Sequence, residues 1–422
     1  MRPIVLFVIA CVAWAGDPLA IHPPVWKPLV EAGADAMELR LRERSAEAAR
    51  ASAKLVAEKW PSPVVFAANS ENVIRSPTGQ VRLLGAAVWL GLGSEAERQQ
   101  WRRLASRLCV DLAKAHKANG GVWGDAWQSA LWAGNLARGA WMLGDALTPG
   151  EQTLVAKVIA HESDRWISRP PEGWSAKDKM GGDSKGEENG WNSSIVVLAV
   201  AMLRDHPNRQ AWLRTSVSYI MTAVGTRRDL EDATAVNGRM IKEWVPAWCL
   251  SDEGFVVNHN IYPHPDYTRV SMAAGPAIVI YTFAGMEVPV ALRHNLRFIY
   301  DNFSNRIWPV PPYAAAGPIY QPDGSIAWPG RGEAERAKEV LAYLGADLTI
   351  RLAFPDDPAL SASAAAWARR HLERADATNA GGVRRVNSGI DSNSMNNLLS
   401  LQVLRSGAVR LSAAATAAGV AQ

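Results

Sequence analysis

The stretch TPGEQTLVAKVIAHESDRWI, residues 148–167, decides the fold. Thr148 stands as an N-cap, Pro149 fits the first helical position with its fixed φ, and Glu151 follows the cap by three residues, which makes a capping box. A helix starting at Pro149 follows. Outward from it, apolar residues recur at helical spacing in block after block, with Gly, Pro, Asp and Asn at the joints. The pattern predicts about ten to twelve helices, with starts near Ala34, Glu95, Thr148, Asn192, Asn208, Pro265, Pro289, Ala334, Pro358 and Ser394. Sustained period-two alternation is scarce, so the fold class is mainly all-α. Helices of this length joined by short turns pack as antiparallel pairs, and pairs closed around an axis give an α/α toroid whose loops rim a cup. No fixed sequence period argues for a repeat solenoid instead. One domain is expected over residues 16–410, with an Ala-rich flexible tail at 411–422.

The chain has 422 residues, 48% hydrophobic and 20% charged, a composition that builds a large core and excludes wholesale disorder. Its opening, MRPIVLFVIACVAWAGD, places a basic residue before an apolar run and a small-x-small site. That reads as a signal peptide over residues 1–15 and a secreted or periplasmic protein, with a lipoprotein-type leader at Cys11 as the alternative. No later run is long enough for a membrane span. Removing the leader leaves Cys109 and Cys249, so at most one intramolecular disulfide is available and two buried thiols are the simpler expectation. A net charge of +4 suits an anionic partner, such as a polyanionic sugar, and is too small for a nucleic-acid binder. Nothing in the pattern fixes an oligomeric state.

Two irregular stretches, 168–192 and 305–333, interrupt the helical rhythm and are expected at a cleft rim. Tryptophan is abundant, 18 residues against 8 Tyr and 7 Phe. Trp123, Trp127, Trp132, Trp174, Trp191, Trp308 and Trp328 fall outside clean helical stripes, where indoles stack on sugar rings.

The densest proton-handling chemistry lies in DEGFVVNHNIYPHPDYT, residues 252–268. His259, His264 and Asp266 lack a zinc-site spacing, and no GxSxG elbow accompanies them, so neither a metal nor a cofactor is expected. A histidine and tyrosines beside amide side chains suit removal of a proton α to a carboxylate. That step needs a base on the proton, an acid on the leaving oxygen, and a group that neutralises the carboxylate as charge develops.

The run Asp252, Gly254, Phe255, Asn258, His259, Tyr267 and Thr268 resembles the corresponding region of α/α-toroid polysaccharide lyases. EENGWNSSIVVLAVAM, residues 187–202, is similar to the helix start that carries the carboxylate-binding Asn in that family. The resemblance implies Asn189 as neutraliser, with Asn192 a rival otherwise read as a helix cap, His259 as base or carboxylate partner, and Tyr267 as acid or base. Tyr262 competes with Tyr267, and relatives acting on alginate or glucuronan place the tyrosine later in the chain, which brings in Tyr313 and Tyr320. Glu188, Trp191, Trp127 and His264 complete the expected substrate contacts, with Arg306 and Arg331 gripping carboxylates. The expected activity is β-elimination in a uronic-acid polymer, alginate or glucuronan first. Alternatives are a hydrolase using Glu187 or Glu188 with Asp125 or Asp252 opposite, the pair about 6.5–9.5 Å apart, and a carbohydrate-binding protein without catalysis.

Overall fold

The capping box forms as its spacing predicts. The Glu151 amide donates to Thr148 Oγ1 at 3.4 Å, and the Thr148 amide donates back to Glu151 Oε2 at 2.8 Å. This computed structural model describes residues 16–61, 63–174, 182–307, 317–329, 332–378, 385–386, 389–390 and 392–415. The expected leader at 1–15 and Trp308, Tyr313 and Arg331 therefore lie outside the described residues.

The chain is mainly helical. Its helices are α1 (Ala36–Lys59), α2 (Glu71–Trp89), α3 (Glu95–Lys114), α4 (Ser129–Leu143), α5 (Pro149–Ile167), α6 (Gly186–Met202), α7 (Arg209–Ala223) and the single turn α8 (Ile241–Trp244). The second half adds α9 (Pro265–Ser271), α10 (Ala274–Phe283), α11 (Leu296–Ser304), α12 (Val340–Ala353), α13 (Pro358–Thr378) and α14 (Asn393–Ser406). Three strand pairs of two residues each complete it: β1 (Ala235–Val236) with β2 (Arg239–Met240), β4 (Arg385–Val386) with β5 (Gly389–Ile390), and the parallel pair β3 (Val288–Pro289) with β6 (Leu411–Ser412).

Contacts among the most buried helices run in a circuit: α2 packs on α4, α4 on α6, α6 on α10, α10 on α12, α12 on α14, and α14 returns to α2. The others flank it, α1 and α3 against α2, α5 and α7 against α6, α11 and α13 against α12. Residues 19–30 cross the far ends of α6, α10 and α14: the His22 amide donates to Met202 O at 2.8 Å, Val25 to Phe283 O at 2.7 Å, and Trp26 Nε1 to Ser406 Oγ at 3.1 Å.

Several expected boundaries move. α6 begins at Gly186 rather than Asn192, behind Lys185 in the left-handed region at φ 61°. Pro289 lies in β3 and opens a short 3-10 helix, Val290–Arg293, and the α-helix after it starts at Leu296. The expected tail begins as β6, and Asn237 Nδ2 donates to the Ser412 and Ala414 carbonyls at 2.8 and 2.7 Å. Cys109 and Cys249 are both buried free thiols. Among the described residues no helix is long and apolar enough to cross a membrane.

Three of the six described tryptophans expected in a cleft pack the interior instead. Trp123, Trp132 and Trp328 are buried, and Trp123 Nε1 donates to Leu112 O at 2.8 Å. An indole buries enough apolar area to favour core packing even for Trp132 and Trp328, whose Nε1 atoms find no acceptor among the described residues.

α2 and α4 approach most closely where glycines face each other. A Cβ on Gly139 would stand 2.6 Å from the Val81 carbonyl, and one on Gly85 would stand 2.7 Å from the Gly139 carbonyl. Backbone cannot yield as a side chain does. Gly139→Ala is therefore expected to destabilise the protein by about 1–3 kcal/mol despite alanine's better helix propensity; an unchanged urea midpoint would show that the two helices separate freely.

Candidate active site

The 252–268 stretch folds back on itself. The Asn258 and Ile261 backbones bond to each other, at 3.3 Å for Asn258 N–H to Ile261 O and 2.8 Å for the reverse. The two residues between them, His259 and Asn260, both sit in the left-handed region, at φ 51° and 59°. A two-residue turn of that kind needs positive φ at both positions, at a cost to any residue other than glycine. The turn carries the exposed His259 ring at its tip.

Glu333, also in the left-handed region at φ 46°, joins that ring to three other groups. One carboxylate oxygen meets His259 Nδ1 at 2.7 Å, and the other meets His264 Nε2 at 3.2 Å and Arg336 Nε at 2.5 Å. Burial works to raise the carboxyl, but the His259 hydrogen bond and the Arg336 charge outweigh it and hold Glu333 below its usual range. With an anion on Nδ1, that nitrogen carries the proton and His259 Nε2 presents its lone pair.

His264 differs. It is fully buried, Nδ1 accepts the Tyr267 amide at 3.3 Å to cap α9, and burial pushes the imidazole down to about 4. Both nitrogens are occupied, so His264 buttresses Glu333 and Tyr267 and makes no substrate contact.

The Tyr267 ring lies 5.5 Å from that of His259, edge to face, with the Arg336 guanidinium 4.9 Å over its face. Arg336 is anchored to Asp266 at 2.9 Å. Burial raises the phenol to about 12, so at neutral pH Tyr267 is a proton donor.

A second group assembles at the start of α6. Glu188 Oε1 accepts from Lys185 Nζ and Trp127 Nε1, both at 3.0 Å. Trp127 is 61% exposed and packs edge-on against the half-buried Trp191 at 5.4 Å. Glu187 is buried; Oε1 accepts from Asn258 Nδ2 while Oε2 has no partner among the described residues. Burial raises Glu187 to about 8, helped by the charge of Asp183. Asp183, Glu187 and Glu188 hold oxygens within 4.8 Å of one another, as do ligand atoms of Asp125, His161 and Glu162. Protein cations already sit in both acidic groups, Lys185 in the first and Lys117 and Arg165 in the second.

A cleft of about 230 Å³ opens beside this group, lined in part by Trp127, Arg165, Arg169, Lys185, Glu188 and Asn192. Asn192 lies inside α6 rather than at its cap, and its Oδ1 is buried without a partner. Asn189, the expected neutraliser, has its carboxamide taken by the Glu172 backbone: Nδ2 donates to the carbonyl at 2.7 Å and Oδ1 accepts from the amide at 3.3 Å. It pins the loop after α5 to α6, so its carboxamide is already engaged; Asn192 also lines the cleft.

Three further expectations are corrected. Tyr320 is fully buried, stacked on Phe303 with ring centres 5.8 Å apart, out of reach of any substrate. Tyr262 is buried, with its hydroxyl held by Ser251 at 2.9 Å and by Glu253. Arg306 Nη1 donates to the Glu253 carbonyl at 2.8 Å and ties down the 251–254 turn. Sequence reasoning missed Glu333 and Arg336, which no spacing connects to His259. No protein-family model matches the chain, and no curated protein matches it in sequence.

Proposed function

We propose that this protein is an α/α-toroid polysaccharide lyase that cleaves a uronic-acid polymer, alginate or glucuronan, by β-elimination. The observation that carries the reading is the His259–Glu333 pair beside the protonated Tyr267. The circuit of helix contacts supports the toroid, and Trp127 at the cleft supports a saccharide ligand.

His259 Nε2 takes the C-5 proton, and Glu333 stabilises the imidazolium that forms. The electron pair left on C-5 forms the C-4 to C-5 double bond as the C-4 to O-4 bond breaks. Tyr267 gives its proton to the departing O-4, and Arg336 stabilises the phenolate left behind. Glu187, a neutral acid below about pH 8, and Asn192 through its Nδ2 donate hydrogen bonds to the substrate carboxylate, so that charge building on it in the transition state is dispersed. His259 then returns its proton to water, and Tyr267 is reprotonated.

One observation favours a second reading: a buried carboxyl raised to about 8 is also what a glycosidase needs in its acid. The hydrolase alternative therefore rests on Glu187 rather than Glu188, whose oxygen is held by Lys185 and Trp127. Incubation with alginate, polyglucuronate, hyaluronan and pectin separates the two. A lyase is expected to raise the short-wavelength ultraviolet absorbance of the new conjugated double bond in step with new chain ends. Reducing ends released without that absorbance would refute elimination and leave hydrolysis standing.

A further inference from the structure

A second cavity, also about 230 Å³, lies on the opposite face of α6 and shares no lining residue with the cleft. Its wall includes Arg82 from α2, Asn135 and Arg138 from α4, Trp191 and Ser194 from α6, and Asn396 from α14. No aspartate or glutamate lines it among the described residues.

Arg138 is 9% exposed, its Nε is buried without a partner, and no carboxylate pairs with it among the described residues. Burial pushes its guanidinium down to about 9, and the neighbouring Arg82 charge pushes the same way. The glycine contact between Val81 and Gly139 brings the two arginines together, since each is the next residue in sequence to one side of it. Trp191 Nε1, on the same wall, is likewise buried with no acceptor. An unpaired guanidinium is among the costliest groups to bury, and its planar fork of donors matches an oxyanion. Among the described residues Arg138 Nε and Trp191 Nε1 are donors with nothing to receive them.

We propose that this cavity binds a small oxyanion, held by the Arg138 guanidinium with the Trp191 indole N–H as a further donor. The chemistry is shared by inorganic phosphate and by the carboxylate of a single sugar acid. The proposal stands on Arg138 and Trp191 and does not depend on the lyase reading.

The test is thermal denaturation and titration calorimetry of the full chain with sodium phosphate, sodium glucuronate and sodium chloride at matched ionic strength. A saturable rise in Tm with phosphate or glucuronate beyond that with chloride is expected, because a ligand that binds only the native state stabilises it by mass action. Saturation by phosphate alone identifies an inorganic ion, and saturation by glucuronate alone identifies a sugar-acid subsite. Arg138→Met should abolish the effect, and Trp191→Phe, which removes one donor, should weaken affinity about 3- to 10-fold. Phosphate and glucuronate shifts no larger than that of chloride, or shifts that persist in Arg138→Met, would overturn the proposal. Should Arg138→Met not fold, the Trp191→Phe isotherm decides, and unchanged affinity counts against the site.

Discussion

His259→Ala is expected to lower kcat on the uronate polymer by about 10²–10⁴-fold, the usual contribution of a positioned base, while KM moves by no more than a few-fold. The asymmetry follows from the geometry. His259 stands at the tip of a turn, its ring is exposed, and its one hydrogen bond runs to Glu333. Removing the ring takes away a proton acceptor and little packing. Glu333→Gln keeps a hydrogen-bonding side chain but loses the charge that sets the imidazole tautomer and favours the imidazolium, so it should lower kcat by a smaller factor and displace the pH–rate profile. A His259→Ala enzyme retaining kcat within twofold of wild type, with circular dichroism unchanged, would remove His259 from the mechanism.

The second large effect concerns stability. Native Glu187 keeps its proton to about pH 8, whereas the unfolded carboxyl releases it near 4.5. Between those values the native state binds more protons than the unfolded one, so stability falls as pH rises through that window and levels off above it. At about 1.4 kcal/mol per pH unit, the swing amounts to a few kcal/mol. Glu187→Gln carries no proton to lose. Relative to wild type it should gain stability from pH 5 to about pH 8 and level off above that, read as the difference in urea midpoints. A constant difference across that range would mean that the native carboxyl ionises normally. The same variant loses the hydrogen-bonding acid proposed for the substrate carboxylate, so a protein more stable at alkaline pH should also be a slower enzyme.

The flanking helices were legible in the sequence because they have two different faces. α3 and α5 alternate buried apolar and exposed charged residues and open on side-chain caps that form. Half of the inner circuit, α6, α12 and α14, also shows starts, near Asn192, Ala334 and Ser394, but α2, α4 and α10 hide their signal. α4, SALWAGNLARGAWML, is buried along nearly its whole length, contains two glycines, and carries no stripe to read. α2 contains Pro77, and α10 is apolar throughout. At the site, His259, Tyr267, Trp127 and Glu188 could be picked out because their chemistry is unusual for an Ala- and Leu-rich chain. The sequence places the start of α6 too late because the helix opens after Lys185 without a side-chain cap, leaving Asn-Ser-Ser to imitate one further along. Glu333 reaches His259 from 74 residues away, a meeting set by tertiary packing alone.

The two ends of the chain are stitched together by their own polar groups: Gln402 Nε2 donates to Glu38 Oε1 at 3.1 Å, and Arg405 donates to the Val30 and Ala32 carbonyls at 2.8 and 3.1 Å. During synthesis the earliest helices therefore emerge hundreds of residues ahead of the partner that shields them. A nascent chain in that condition is a natural client for holding chaperones. The face of α1 that takes α14 stays open until Asn393–Ser406 has been made.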